Sequence, residues 1–219
     1  MKTIILDLCG GTGSWSKPWR EAGFEVHVIT LPDYDVTKGF VTNGHLYFPK
    51  LTGADGERPS LKIDIDKIYG IFAAPPCTMF SFARTTAKTP RDFDKGMETV
   101  QACLKIIWSI RKAEKIHFWA LENPHGFLDQ FLGKPPLKFQ PYEFGDHYSK
   151  ETHIWGYFKS PRKKPIKLTD KELRQSKVNT RPLPKLPEGY KPVVETNLQA
   201  RRAMTSPKFA EAFFRANNQ

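Results

Sequence analysis

Short apolar runs alternate with amphipathic stretches along the first 160 or so residues. Lys2-Thr-Ile-Ile-Leu-Asp7 predicts a buried strand that runs into a glycine turn, Leu8 to Trp15. Ser16 to Ala22 reads as helix, closed by Gly23, and Phe24 to Leu31 as a second strand, which makes a βαβ unit. Ile68 to Ala74 is another buried strand, and Ile116 to Leu121 a further one. Between them, Met97 to Lys115 brings Val100, Leu104, Ile107 and Ile110 near helical spacing, the core face of a helix. Strands alternating with helices predict an α/β domain with a parallel sheet. The tail, Arg201 to Asn217, predicts a helix: Thr205 or Ser206 caps it, Pro207 suits its first turn, and Phe209, Phe213 and Phe214 share one apolar face.

The chemistry sits where the strands stop. Pro75-Pro76 ends one strand and fixes φ, so Cys77 is presented at the carboxyl edge, where open α/β sheets bind ligands. Cysteine has the most nucleophilic ionised side chain; the bland alternative is a small buried thiol. Glu122 falls where the later strand gives way to Asn123-Pro124 at the same edge. A carboxylate beside apolar residues resists ionisation, so its pKa should rise; the alternative is a solvated glutamate capping the turn. The loop Cys9-Gly10-Gly11-Thr12-Gly13-Ser14-Trp15 lets the backbone approach a ligand, or is simply a tight turn. Its spacing is neither the GxGxxG fingerprint nor a phosphate loop.

Taken in order and separation, three segments resemble the cytosine-5 DNA methyltransferase family: Asp7 to Gly13, Pro75-Pro76-Cys77 with Phe80-Ser81, and Glu122-Asn123. The resemblance covers roughly residues 1 to 158 and is closest to the short phage and prophage forms. It implies a Rossmann-like S-adenosylmethionine-dependent methyltransferase sheet with helices on both faces and a reduced or absent target-recognition domain. By resemblance, Cys77 is the nucleophile that adds to cytosine carbon 6, and Glu122 acts at ring nitrogen 3. Arg84 is a candidate cation to raise the thiolate fraction. The family's Arg-x-Arg pair is replaced by Lys150 and Thr152, with Lys150 as a point charge for the base carbonyl or a phosphate; a strand with a solvated lysine is the plainer alternative. The S-adenosylmethionine site implied comprises Asp7, Cys9, Gly10, Gly11, Thr12, Gly13, Ser14 and Pro75, with Asp35 or its neighbour Asp33 at the adenine amino group. Trp15 packs either on that cofactor or, the favoured reading, on the sheet. Valine is commoner in the family where Pro124 stands, and its ribose-binding acidic position reads Thr30-Leu31-Pro32 here.

Charge sharpens the choice of partner. Net charge is +11, with a pI near 9.5. Pro161 to Pro192 holds ten Lys or Arg against three acidic residues and six prolines. It reads as an extended basic loop, either a solvated insert or a phosphate-tracking arm that releases counterions. Ser81, Arg84, Lys150, Arg162, Lys163 and Lys164 are the nucleic-acid candidates. The expected organisation is a catalytic core over 1–158, a basic Pro-rich loop or minimal recognition insert over 159–195, and a core-closing helix over 196–219. The expected substrate is DNA, duplex or single-stranded. The same chemistry on RNA or a free cytosine nucleotide, and a silent DNA-binding module, stay open. Three sparse cysteines fit a reducing cytoplasm and make no zinc spacing; Cys9 and Cys103 read as packing residues. No apolar run approaches a membrane span, no signal-peptide pattern is present, no metal is expected, and the chain is expected to be monomeric.

Overall fold

The structure, a computed structural model, describes residues 2–49, 60–85, 87–113, 115–175, 183–190 and 196–218. The chain runs β1 (Ile4–Leu8), α1 (Lys17–Glu21), β2 (Glu25–Ile29), β3 (Phe40–Thr42), β4 (His45–Phe48), β5 (Leu61–Asp64), β6 (Ile68–Ala73) and α2 (Phe93–Ala113). It continues through β7 (Phe118–Pro124), α3 (Leu128–Leu132), β8 (Leu137–Phe139), β9 (Thr152–Tyr157), α4 (Asp170–Gln175), α5 (Asn197–Ala203) and α6 (Pro207–Asn217). The result is a mixed α/β fold. A six-stranded sheet has the order β2-β1-β6-β7-β9-β8, and a three-stranded antiparallel sheet has the order β3-β4-β5.

The central strands are apolar throughout because both sheet faces are covered. Along β1, Ile4, Leu6 and Leu8 join one core and Ile5 the other, as a two-residue period requires. The first core packs the sheet against α2, through Val100, Cys103, Ile106, Ile107 and Ile110, and against Leu46, Phe48 and Ile63 of the small sheet. The second is aromatic: Trp19, Tyr69, Phe72, Phe118, Phe209 and Phe213 lie beneath α1 and α6. Helices thus cover both faces.

Several expectations need correction. The large sheet is mixed rather than parallel: β9 runs antiparallel to both β7 and β8 and sits between them. That pairing extends β7 past the expected stop at Glu122, through Asn123 opposite His153 and Pro124 opposite Thr152. The small sheet was not foreseen; its strands are three or four residues long and half exposed, so their alternation is faint. The tail holds two helices. Thr196 and Gln199 form a reciprocal capping box on α5, while Ser206 caps α6 and Pro207 opens it. The basic segment is extended only at first. The amides of Lys164 and Ile166 donate to the carbonyls of Glu143 and Tyr142, and α4 follows. Within that segment, residues 176–182 and 191–192 lie outside the described residues. Among those described, no helix is long and apolar enough to cross a membrane.

Candidate active site

Strand order reverses between β1 and β6, and the carboxyl ends beside such a reversal are where open α/β sheets form a crevice. A cavity of about 580 Å³ opens there. Its walls combine the loop after β1, residues 29–31 and 34–36 after β2, Ala74 to Thr78 after β6, Glu122 of β7, and Lys150 just before β9.

The loop after β1 is shaped by left-handed backbone at Cys9 (φ +55°), Gly11 (+54°) and Gly13 (+66°). A Cβ on Gly10 would collide with the Asp7 carboxylate, so the chain can fold over that acid only as glycine. Asp7, 1 % exposed, accepts a 2.5 Å hydrogen bond at Oδ2 from the Ser16 hydroxyl. Its Oδ1 is buried with no hydrogen-bond partner. Burial pushes its pKa up to about 6, against the Ser16 bond and the nearby Arg20. Cys9, Gly10, Gly11, Thr12 and Ser14 line the cavity; Gly13 does not, since its α-carbon faces Val28 and Arg20. Ser14 Oγ also accepts the Thr205 amide at 2.9 Å, which ties the loop to the tail. Trp15 borders the cavity but is a core residue: it is 2 % exposed, with its ring 4.4 Å from that of Phe72. Cys9 and Cys103 bring their sulfurs within 3.9 Å, and no disulfide forms among the three cysteines. Asp35 is on the wall, with Oδ1 engaged by the amide and hydroxyl of Thr37; Asp33 is not on it.

Pro75 and Cys77 line the opposite side. The Cys77 carbonyl accepts the amides of Phe80 and Ser81, closing a tight turn. Two groups to which the sequence assigned no role hold this turn. Arg91 donates to the carbonyls of Met79 (2.8 Å) and Ser81 (2.9 Å). Asn123, fully buried, donates to the Pro75 carbonyl at 3.0 Å and so fastens β7 to the cysteine loop. Ser81 and Arg84 line the cavity, and the Arg84 guanidinium donates to the carbonyl and hydroxyl of Thr89, both at 2.9 Å.

Glu122 and Lys150 come together. Lys150 Nζ lies 3.9 Å from Glu122 Oε1 and donates to the Arg202 carbonyl at 3.3 Å. Its side chain is only 19 % exposed, which excludes the solvated-strand reading. Burial raises the Glu122 pKa, opposed by the charges of Lys150 and His153. His153 is itself buried, its ring nitrogens 2.8 Å from Asp129 and 2.9 Å from Glu151. Thr152 lies off the large cavity; its hydroxyl donates to the Lys150 carbonyl.

Arg162, Lys163 and Lys164 are not on this wall, because their segment runs along residues 142–143; Lys163 pairs with Glu143 at 2.6 Å. The remaining wall is Tyr190, Gln199, Arg202, Met204 and Thr205; the family resemblance implies that the tail completes this side of the domain, without assigning most of these residues. Its readable trace was the Thr196-x-x-Gln199 helix start. No cluster of metal-ligating side chains occurs among the described residues. No protein-family model matches the chain, and no curated protein matches it in sequence.

Proposed function

We propose that this protein is an S-adenosylmethionine-dependent cytosine-5 methyltransferase that acts on DNA. One observation carries the reading: a single cavity is shared by a thiol at a strand's carboxyl edge, a buried carboxyl group and a glycine loop, in the combination the sequence resemblance implies. The strand reversal and the loop after β1 support a Rossmann-like arrangement. The residues fit the cofactor. Its volume is in the range of small-molecule sites. Asp7 Oδ1, buried without a partner, suits the ammonium of an amino-acid moiety, and a cation there would draw the Asp7 pKa back down. Asp35 and the loop backbone would hold the remainder. When bound, the sulfonium supplies an electrophilic methyl group.

The chain's own groups do the rest. Cys77 Sγ, as thiolate, adds to carbon 6 and makes carbon 5 nucleophilic. Glu122, whose hold on a proton burial strengthens, would donate at ring nitrogen 3 and support that addition. Lys150, beside it, offers a point charge to the base carbonyl. Once carbon 5 is methylated, its proton would pass to water, the electron pair left behind would expel the Cys77 thiolate, and nitrogen 3 would return its proton to Glu122. A target inside a duplex must be flipped out to reach the cavity.

The test is transfer of labelled methyl from S-adenosylmethionine to duplex DNA, single-stranded DNA, RNA and deoxycytidine monophosphate, with Cys77→Ala alongside. Cys77-dependent 5-methylcytosine in DNA is the expected product. Label on RNA or the nucleotide alone would reassign the substrate, and none at all would overturn the reading.

A further inference from the structure

Away from the cavity, three side chains form a surface that the proposed reaction does not use. Trp108 and Arg111 project from α2, and Tyr157 ends β9. Trp108 is 53 % exposed and Tyr157 59 %, the two most exposed large aromatic residues among those described. The Arg111 guanidinium carbon is 5.3 Å from each ring centroid, so the cation lies against both rings. Trp119 supports them from the sheet: its ring is 6.2 Å from Trp108, and its backbone pairs with Tyr157. Trp119 and Glu122 are three residues apart on β7, about 10 Å of strand, with Trp119 toward the opposite end of the sheet.

Core packing does not require this arrangement, since both outer rings are mostly in water. The charge around them says what fits. From Gln101 to Ala113, α2 carries Lys105, Arg111 and Lys112 and no acidic residue. Beyond Tyr157, Lys159 follows before the chain leaves to run along residues 142–143, where Lys163 pairs with Glu143. A second copy of this chain would set cations against cations in a two-fold contact. A polyanion whose flat bases are open to stacking matches both the charge and the rings.

We infer that Trp108, Arg111 and Tyr157 form a binding surface for single-stranded nucleic acid, separate from the cavity. Bases stack on the two rings, and Arg111 and Lys112 meet phosphates. Duplex engages only the cations, because its bases are already stacked. The surface does not depend on methyl transfer, so its test stands apart from that of the reaction.

The experiment is fluorescence anisotropy with a labelled mixed-sequence 20-nucleotide single strand and the matching duplex. The proteins are wild type, Trp108→Ala, Tyr157→Ala, the double Trp108→Ala/Tyr157→Ala variant and Arg111→Gln. Circular dichroism confirms that each is folded. Each ring loss should weaken single-strand binding about tenfold and duplex binding by less than about twofold. Arg111→Gln should lower the slope of log affinity against log salt by about one. Single-strand affinity within twofold of wild type in the double variant would overturn the inference. So would equal losses on both nucleic acids, or a wild-type dimer that the double variant dissociates.

Discussion

Asp7→Asn should make this protein more stable, and only above mildly acidic pH. The carboxyl group is buried with one oxygen unpartnered, and its pKa stands near 6 in the fold against 3.8 ordinarily. The folded state therefore binds the proton more tightly than the unfolded chain does. Below pH 3.8 both states are protonated and the site costs nothing; above pH 6 both are ionised and the fold bears the full penalty. Across that interval, at about 1.4 kcal/mol per pH unit, the penalty reaches about 3 kcal/mol. Asparagine is isosteric, stays neutral, and its Oδ1 accepts the Ser16 hydroxyl as the acid does. Urea denaturation at pH 8 should show the variant more stable by at most about 3 kcal/mol, or roughly 6–12 °C in Tm for a chain of this size, because its amide nitrogen takes the unpartnered buried position of Oδ1. At pH 5 the gain should fall to about half, and at pH 3.5 it should vanish. Titration calorimetry should show loss of S-adenosylmethionine binding in the same variant. An Asp7→Asn protein less stable than wild type at pH 8, or one whose gain is the same at pH 5 and pH 8, would refute the reasoning.

Other perturbations test the rest of the site and its support. Lys150→Met removes the charge that opposes burial at Glu122, so the Glu122 pKa should rise further; ¹³C NMR titration of that carboxyl checks it, and an unchanged titration would disprove the coupling. Asn123→Ala strands the Pro75 carbonyl and should cost about 1–3 kcal/mol in urea unfolding, together with a fall in kcat; wild-type stability would mean the bond is dispensable. Trp19→Ala empties a fully buried site ringed by Phe24, Tyr69, Phe118 and Phe214 and should cost about 3–5 kcal/mol, read from the denaturation midpoint.

The parts legible in the sequence share a physical reason. β1, β6 and β7 are buried on both faces, so each appears as an apolar run with a sharp polar end. Those ends carry Asp7, Cys77 and Glu122, which is why the two sides of the cavity could be read before any coordinates. Lys150 was found through its neighbourhood in the sequence, but its proximity to Glu122 depends on β9 slotting between β7 and β8. No local pattern encodes that insertion. The resemblance implied that the tail completes the far side, but its individual wall residues were illegible for the same reason. Gln199 and Arg202 are ordinary helix-surface residues until the Thr205–Ser14 bond brings the tail 191 residues back to the glycine loop. Arg91 likewise reads as a solvated cation, and only the folded turn shows it holding the carbonyls of Met79 and Ser81.

The return of the tail has a consequence for synthesis. α6 covers Trp15, Phe72 and Phe118 through Phe209 and Phe213, and α5 closes the cavity. On the ribosome, the cysteine turn and the glycine loop emerge well before these helices. At about 5–20 residues per second, the roughly 130 residues between Cys77 and Phe209 take about 7–26 seconds to appear. Through that interval the sheet presents a bare aromatic face to the cytosol of whatever cell translates it. The nascent chain then exposes the kind of apolar surface that holding chaperones bind, and the cavity is complete only once α5 and the residues after it are out.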